Sequence, residues 1–415
     1  MNSIYISNVR VLQNGNLEPA EIEIKDKTIS DIHFRSKNTQ SDKLEKEIPS
    51  IRIDLGGKIL YPGFINSHDH LLASFLPKVG GTTKHLSWLA YDNLYKSSGI
   101  FAERQQIDIE LLYYLGAYKN LFSGVTSVQD HIPHHVQEPF INSLPVKLIH
   151  DFYLSHSIGN YSLGWGEGAA LEYKLAESSN KPFITHLGEG LDEDSISSLR
   201  KLEKMNALGP NSVLIHCIPF GPREVEMIAK AGASVVWCPT SNIHIFGKTT
   251  NIKLYLDAGV NVCLGTDFSP SGATNLFSEI SFAKSLFFDL YEAELSDQTL
   301  LNWITTNPSK AFRTPNIGGI HKGGSADFLV FEEDGKNEIS VSSRSAGQID
   351  LMVIDGSPML ASSSYKNLFS DLGIECESIQ IEGKEKLVAG SPLSLLGQVS
   401  ANIGYKKELA FLPIL

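Results

Sequence analysis

Cysteine and basic residues are both scarce in this chain. Its 415 residues include four cysteines, and three of these lie within or at the ends of apolar runs. That placement is typical of buried thiols in a reducing compartment and argues against a disulfide framework. Acidic residues outnumber basic ones and give a formal net charge of −12. The charge disfavours nucleic acid or an anionic membrane as a partner, because either requires a basic surface.

Long apolar segments are missing as well. No apolar run reaches about 18 residues, so the sequence predicts no membrane span. The first residues lack the basic and apolar regions of a signal peptide. Hydrophobic residues make up 42% of the chain and charged residues 20%, which is an ordinary globular balance. We therefore expect a cytoplasmic protein, with a homodimer as the commonest default oligomer.

The middle of the chain carries short apolar runs that alternate with longer helical patterns. This alternation begins near Ile59 and is the signature of repeated βα units and a parallel sheet. Barrel strands are predicted at 59–66, 125–129, 146–149, 152–156, 183–186, 213–217, 234–238 and 261–266. Apolar residues at three- and four-residue spacing predict helices at 110–122, 169–179, 193–205, 222–231 and 276–290.

Both ends of the chain are rich in strands. Alternating or Val/Ile-rich patterns predict strands at 4–12, 20–25, 28–33 and 51–55, and again at 327–331 and 351–355. A (β/α)8 barrel takes roughly 250 residues, which leaves both ends for a second unit. We therefore predict an α/β protein in which a (β/α)8 TIM barrel spans 59–316. The segments 1–58 and 317–415 are predicted to form one small β-sandwich domain together.

Two histidines stand at the end of the first predicted barrel strand. His68 and His70 are two residues apart, so in a strand both side chains point to the same face. That position is the barrel mouth, where barrel enzymes hold their active sites. Two imidazoles so placed can share one cation. Taken alone, the motif is equally compatible with a pair of surface histidines.

Further polar residues follow other predicted strands. They are His186 with Glu189, then His216, and then Asp267. Each has an ordinary structural explanation, such as a core histidine bonded to a backbone carbonyl or an aspartate that caps a helix or turn. Their joint occurrence at successive strand ends of one barrel favours a metal site.

The donor set determines the chemistry that we predict. Three neutral imidazoles and one carboxylate suit one divalent ion such as Zn²⁺, with Fe²⁺ as the alternative, and leave a position for water. The ion would lower the pKa of that water toward about 7 and so provide a hydroxide nucleophile. Glu189 is predicted to carry protons to the leaving group, and His216 to polarise the group under attack or hold the water.

These residues resemble the amidohydrolase superfamily, and within it the mononuclear aminohydrolases and chlorohydrolases that act on nitrogen heterocycles. The matching segments spread over most of the chain, at 62–64, 68–70, 86–89, 123–126, 186–189, 216–217, 238–242, 265–267 and 323–327. The resemblance implies that the metal ligands are His68, His70, His186 and Asp267. It also implies that Glu189 and His216 assist proton transfer and that Asp267 takes a proton from the water.

Related metal chemistries fit the sequence less well. Binuclear amidohydrolases bridge two metals with a modified lysine on a middle strand, but Lys147 and Lys181 lie near predicted strand starts. The zinc deaminases with a Pro-Cys-x-x-Cys ligand pair are excluded, because Cys238 precedes Pro239 and no second cysteine follows. The acidic pair that often follows the His-x-His segment in the family is replaced by the residues 79–83, so the substrate stays open.

Four residues near the predicted barrel mouth are candidates for substrate contact. They are Trp88, His131, His156 and His244. For His131 and His156 the alternative is a solvent-exposed loop position. For Trp88 the favoured alternative is packing beneath the first βα loop, since tryptophan more often stabilises than binds.

The sequence thus predicts a metal-dependent hydrolase that acts on a small molecule through a non-peptide carbon–nitrogen bond. The expected reaction is deamination of an aminated nitrogen heterocycle, namely a purine, pterin, triazine or adenine-nucleoside derivative. The alternative is hydrolysis of a cyclic amide or a carbon–chlorine bond by the same site. Glu189 favours deamination, because an amine leaving group needs a proton and a halide does not. A non-catalytic barrel used in assembly is the alternative from a different class.

Overall fold

Strands at both ends of the chain flank a long middle part in which strands and helices alternate. A computed structural model describes residues 3–13, 15–34, 51–73, 75–332 and 338–409. The strands are β1 (Ser3–Gln13), β2 (Asn16–Lys25), β3 (Thr28–Phe34), β4 (Ile51–Pro62), β5 (Phe64–Asp69), β6 (Val125–Asp130), β7 (Lys147–Leu148), β8 (Tyr153–Ser157), β9 (Phe183–Leu187), β10 (Ser212–His216), β11 (Ser234–Trp237), β12 (Asn261–Leu264), β13 (Phe328–Phe331), β14 (Ile349–Ile354), β15 (Ser357–Ser362), β16 (Cys376–Ile381) and β17 (Lys384–Ala389).

The α-helices lie mostly between the middle strands. They are α1 (Trp88–Lys96), α2 (Gly99–Arg104), α3 (Ile109–Leu121), α4 (His134–Gln137), α5 (Ala169–Ser179), α6 (Glu193–Lys204), α7 (Pro222–Ala231), α8 (Pro239–Phe246), α9 (Ile252–Asp257), α10 (Leu276–Tyr291), α11 (Asp297–Trp303), α12 (Thr306–Ala311), α13 (Lys366–Asp371) and α14 (Pro392–Ile403). Among the helices of the described residues, none combines the length and the apolar character needed to cross a bilayer.

The parallel strands β5 to β12 follow one another in space in chain order. β5, β6 and β7 form one sheet, and β8 through β12 form another. The first and last of these strands meet at a parallel bridge between Asp69 and Asp267, where the Asp267 N–H donates to the His68 carbonyl at 3.0 Å. Within residues 147–157, all of them described, no ladder joins β7 to β8. This order of strands and crossover helices is that of a (β/α)8 barrel.

Buried apolar side chains fill the space along the strands below the polar strand ends. One cluster takes inward-facing residues from successive strands, among them Ile65, Ile184 and Ile215, together with Phe312 and Ile317 from beyond α12. In β5, β9 and β10 these isoleucines precede the histidines of the same strands. The apolar layer therefore excludes water from one end of the strands and leaves the polar residues at the other.

The first barrel strand is shorter than the sequence predicted. The segment 59–66 was expected to be one barrel strand, but it is divided at Gly63 between β4 and β5. A Cβ at Gly63 would lie 2.3 Å from Thr126 Oγ1, so only glycine allows β5 to approach β6 at this point. Residues 51–62 pair with β1 and β13 in the other sheet.

The strands of both chain ends form one nine-stranded sheet in the order β16-β17-β15-β14-β13-β4-β1-β2-β3. The two ends join where β13 pairs antiparallel with β4, with Val330 opposite Leu60. One apolar cluster takes residues from strands of both ends, for example Ile22 and Val353. Strands from both ends of the chain thus share one sheet and one apolar cluster.

Candidate active site

Two histidines project from the end of β5 into a buried space. The side chain of His68 is fully buried and that of His70 is 23% exposed. Their ring centroids are 4.8 Å apart with the ring planes nearly perpendicular. The alternation of side chains along a strand places both on one face, as the sequence predicted.

Asp267 approaches both rings from the end of the last barrel strand. Its Oδ1 lies 3.3 Å from His68 Nε2 and 3.6 Å from His70 Nε2. The backbone of Asp267 is left-handed, with φ of 59°. Such a conformation is uncommon outside glycine, and here the hydrogen bond from Asp267 N–H to the His68 carbonyl holds it.

His186 at the end of β9 completes a cluster of three imidazoles and one carboxylate. Its Nε2 lies 3.3 Å from His68 Nε2, and its Nδ1 donates to the backbone carbonyl of His156 at 2.7 Å. Since Nδ1 is the donor, the lone pair of His186 is on Nε2 and faces His68. A carbonyl behind a histidine is the usual means of fixing the tautomer of a metal ligand.

The cluster fits a divalent cation. Ligand atoms of His68, His70 and Asp267 all lie within 4.8 Å of one another, and so do those of His68, His186 and His216. Burial, together with the neighbouring histidines, lowers the pKa of His70 to about 3 and that of His186 well below its ordinary value. Both rings are therefore neutral, and each can offer a nitrogen lone pair to a metal ion. His216 Nε2 is buried without a hydrogen-bond partner, as a lone pair meant for a bound ion or molecule would be.

Asp267 is the anionic member of the cluster. Burial acts to raise its pKa, but the hydrogen bond from His68 and the electrostatic interactions with the surrounding histidines outweigh burial and hold the pKa well below the ordinary value. Cys238 also lies within reach of Asp267 and His216. Burial raises the pKa of that thiol well above its usual value, so it stays protonated and is a poor ligand.

Glu189 and His216 lie next to the cluster. His216 Nε2 is 3.6 Å from Glu189 Oε1 and 3.9 Å from Asp267 Oδ2, and its Nδ1 bonds to Asn242 Oδ1 at 2.9 Å. Burial, followed by the charges of Asp267 and Asp92, raises the pKa of Glu189 well above 4.5. Burial thus favours the protonated form of Glu189, which can donate a proton. Burial lowers the pKa of His216 to about 4, so this ring is neutral.

A row of aromatic rings leads outward from the cluster. The ring centroid of His131 lies 4.6 Å from that of His186 and 5.6 Å from that of Trp165. His156 lies 4.7 Å from Trp165 and 4.9 Å from Trp88. His131 is fully buried and His156 is 8% exposed, so neither occupies the solvent-exposed loop position that was the alternative.

His244, the fourth candidate for substrate contact, has its ring nitrogen engaged within the protein. Its Nε2 bonds to the backbone carbonyl of Val79 at 2.7 Å, and its ring lies 6.0 Å from that of Tyr91. The Tyr91 hydroxyl donates to the Pro270 carbonyl at 2.6 Å. His244 thus joins the loop around Val79 to α8, and its role toward a substrate stays a prediction.

Some residues near the cluster were missed by the sequence analysis. Trp165 lies in a glycine-rich loop, and a large aromatic residue among glycines was the available signal. Lys119 and Asn120 interrupt the apolar face of α3, and both are buried. A lysine and an asparagine on a helix face that is otherwise apolar indicate buried polar partners, but the pattern does not say which.

Comparison with known proteins adds to this geometry. The model of the amidohydrolase family matches residues 169–359, which include His186, Glu189, His216 and Asp267. Over this part of its length the chain is similar to the amidohydrolase family. The resemblance predicted from the motifs is thus confirmed.

Relatives of this chain include a 5-methylthioadenosine/S-adenosylhomocysteine deaminase from Caldicellulosiruptor saccharolyticus. The two are 25% identical over 348 residues, which is 73% of this chain and 79% of the relative. Among solved structures, the adenosine deaminase from Xanthomonas campestris with bound zinc aligns with a TM-score of 0.71 at 17% identity, over 90% of this chain and 97% of its own. The zinc complex of atrazine chlorohydrolase from Arthrobacter aurescens aligns with a TM-score of 0.70 at 18% identity, over 89% and 99%. This chain shares their overall fold.

Proposed function

We propose that this protein is a metal-dependent aminohydrolase that removes an exocyclic amino group from a nitrogen heterocycle. The observation that carries the proposal is the convergence of His68, His70, His186 and Asp267, far apart in sequence, beside Glu189, whose pKa is raised by burial. A structural role explains a single buried histidine, but it does not explain several neutral imidazoles that face one carboxylate.

The four converging side chains would hold one divalent ion, and Zn²⁺ is the ion that we propose, with Fe²⁺ as the alternative. Three neutral nitrogens and one carboxylate oxygen are a donor set typical of such ions. When bound, the ion lowers the pKa of a coordinated water to about 7 and so makes it a nucleophile. The two zinc-containing structures that share the fold support this choice.

Deamination requires that a proton pass from the attacking water to the departing amine. Burial raises the pKa of Glu189, which favours the acid form that can donate a proton to the ring nitrogen of the substrate. Asp267, whose pKa is lowered, can accept one proton from the attacking water and pass it to the amino group, which leaves as ammonia. The Glu189 carboxylate then takes the remaining proton of the former water as the new carbonyl group forms. His216 lies between the two acids and can accept a hydrogen bond from the water.

The row of rings supports a flat substrate. Trp88, His156, Trp165 and His131 form aromatic contacts from α1 inward to the metal cluster. Aromatic rings of this kind stack on planar heterocycles at little cost in conformational entropy. The deaminases of adenine nucleosides among the relatives favour a purine as the heterocycle. We therefore assign substrate contact to Trp88, His131 and His156, with a lesser role for His244.

The test is an ammonia-release assay on protein of known metal content. The panel contains adenosine, 5′-deoxyadenosine, 5′-methylthioadenosine, guanine, a pterin with an exocyclic amino group and an aminotriazine. We expect ammonia from at least one purine, loss of activity on chelation, and recovery with Zn²⁺. The matched control is His321→Asn, which changes an exposed histidine outside the cluster and should keep metal and activity.

Three other results would contradict the proposal. Chloride release from a chlorotriazine without any ammonia would favour dechlorination. Fully zinc-loaded protein that is inert on the whole panel would argue against deamination of these heterocycles. Protein that takes up no divalent metal would favour the non-catalytic alternative.

We also propose that the strands β5 to β12 close as a barrel over 59–316, and that 1–58 and 317–415 form a β-sandwich. The shared apolar cluster of strands from both ends supports the second point. The four free thiols support a reducing, cytoplasmic location, and a homodimer is the proposed oligomer. An experimental structure and sedimentation analysis would test these points.

A further inference from the structure

One lysine is fully buried behind the metal cluster. Lys119 extends from α3, and its side chain is 0% exposed. Its Nζ lies 3.0 Å from Asp69 Oδ1, 3.3 Å from Ser269 Oγ and 3.5 Å from Thr266 Oγ1. A buried ammonium group is costly to desolvate, so three acceptors at such distances indicate a site built around this charge.

The three acceptors flank the proposed metal ligands. Asp69 stands between His68 and His70 at the end of β5. Thr266 and Ser269 lie on either side of Asp267, beyond the end of β12. A single side chain thus contacts both segments that carry ligands where the first barrel strand meets the last, and it does so from the side of the helices.

Neighbouring amides hold the same carboxylate in place. Asn120 Nδ2 donates to Asp69 Oδ2 at 2.7 Å, and Asn66 Nδ2 donates to that oxygen at 3.3 Å and to Thr266 Oγ1 at 2.8 Å. The other oxygen of Asp69 accepts from Lys119 and from the His70 N–H at 2.8 Å. Both carboxylate oxygens of Asp69 are thus engaged within the protein. Asp69 therefore serves to attach the end of β5 to these neighbouring side chains and is not a ligand of the proposed metal ion.

The seam between the two strands leaves little room for adjustment. A Cβ at Gly265 would lie 2.7 Å from His68 Cβ, so the backbones touch at this level. Just beyond it, the Asp267 N–H donates to the His68 carbonyl at 3.0 Å. A small displacement of one segment therefore changes the distance of 3.3 Å between Asp267 Oδ1 and His68 Nε2 directly.

We propose that Lys119 is a positioning residue for the metal site. It fixes the segment of His68 and His70 against the segment of Asp267, so that their ligand atoms converge before any ion is bound. This inference rests on the proposed metal-dependent function. If Lys119 only neutralised the charge of Asp69, a contact with Asp69 alone would be enough. The additional contacts with Thr266 and Ser269 support a positioning role.

The test uses the full chain, freed of metal and reloaded with Co²⁺, whose visible absorption reports the number and arrangement of ligands. The test variant Lys119→Met/Asp69→Asn removes both charges together, so no unpaired charge is left in the interior. The matched control is Lys386→Met/Glu332→Gln. Lys386 is also a buried lysine, bonded to Glu332 at 2.9 Å and to the Ile349 carbonyl at 2.7 Å, but it lies in the nine-stranded sheet.

We expect both double variants to lose thermal stability as metal-free proteins. Only Lys119→Met/Asp69→Asn should bind Co²⁺ about 10- to 100-fold more weakly, as groups that orient metal ligands do, and with an altered visible spectrum. Wild-type affinity and spectrum in that variant would overturn the inference. If it does not fold, Ser269→Ala keeps the ion pair, and an unchanged Co²⁺ affinity in that variant would overturn the inference equally.

The wild-type protein separates this inference from the proposed function. Wild-type protein that binds no Co²⁺ contradicts the proposed function itself, and the role of Lys119 with it. Wild-type protein that binds Co²⁺ tightly, beside a test variant that binds it equally well, leaves the proposed function intact and contradicts only the role of Lys119.

Discussion

Replacing Glu189 with glutamine separates proton transfer from metal binding. Glutamine has nearly the same shape as a protonated glutamic acid, and burial raises the pKa of Glu189 and so favours the uncharged form of the native side chain. The folded protein should therefore tolerate the change. None of the predicted ligand atoms is removed, so the metal content should equal that of the wild type.

The loss of turnover can be bounded from the neighbours of Glu189. A positioned acid–base group contributes typically 10²- to 10⁴-fold to a rate. His216 Nε2 lies 3.6 Å from Glu189 Oε1 and 3.9 Å from Asp267 Oδ2, so His216 and Asp267 can take over part of the proton transfer. We therefore expect a fall in kcat of about 10²- to 10³-fold, which corresponds to roughly 3 to 4 kcal/mol of transition-state stabilisation.

The assay is steady-state ammonia release on the best substrate, with metal content and melting temperature measured on the same preparations. Glu193→Gln is the matched control, since this exposed glutamate begins α6 only four residues further along the chain. It should behave like the wild type in all three measurements. Full activity of Glu189→Gln with normal metal content would refute the proton-transfer role argued here.

Three further predictions concern the residues around the cluster. Asp267→Asn should lower metal content and turnover together, because the anionic ligand is lost, and elemental analysis beside the activity assay would check this; full metal occupancy would contradict it. Asn242→Ala removes the acceptor for His216 Nδ1 and should lower kcat about tenfold at unchanged metal content, so an unaltered kcat would show that Asn242 does not orient this ring. Gly63→Ala places a methyl group 2.3 Å from Thr126 Oγ1 and should destabilise the protein by roughly 1–3 kcal/mol in urea titrations. Thr126→Ala, which removes the contacting Oγ1 and Cγ2 atoms, should restore part of that loss, and a Gly63→Ala variant as stable as the wild type would contradict the packing argument.

Local sequence patterns were sufficient for most of the repeating elements. The helices predicted at 169–179 and 222–231 coincide with α5 and α7. The weakest strand prediction, at 152–156, corresponds to β8 with a shift of one residue. Such elements are predictable because each is defined by its own apolar periodicity, which neighbouring segments do not alter.

Features that depend on distant contacts were not predictable in this way. The division of 59–66 at Gly63 results from the approach of Thr126, which no local pattern reports. The convergence of the ligand residues followed from barrel topology, since strand ends meet at one face. The partners of Lys119 did not follow, because a buried cation in a helix is compatible with any nearby acceptor until the packing is known.

The pairing of β4 with β13 has a consequence for folding. Leu60 and Val330 are partners in one ladder although 270 residues separate them. During synthesis the long strand β4 exposes an unpaired edge until residues 328–331 have left the ribosome, by which time the whole active-site segment has been made. Unpaired edges of this kind promote aggregation, and contacts between such distant residues slow folding. High-level expression should therefore benefit from slow synthesis or from chaperones that shield the edge of β4.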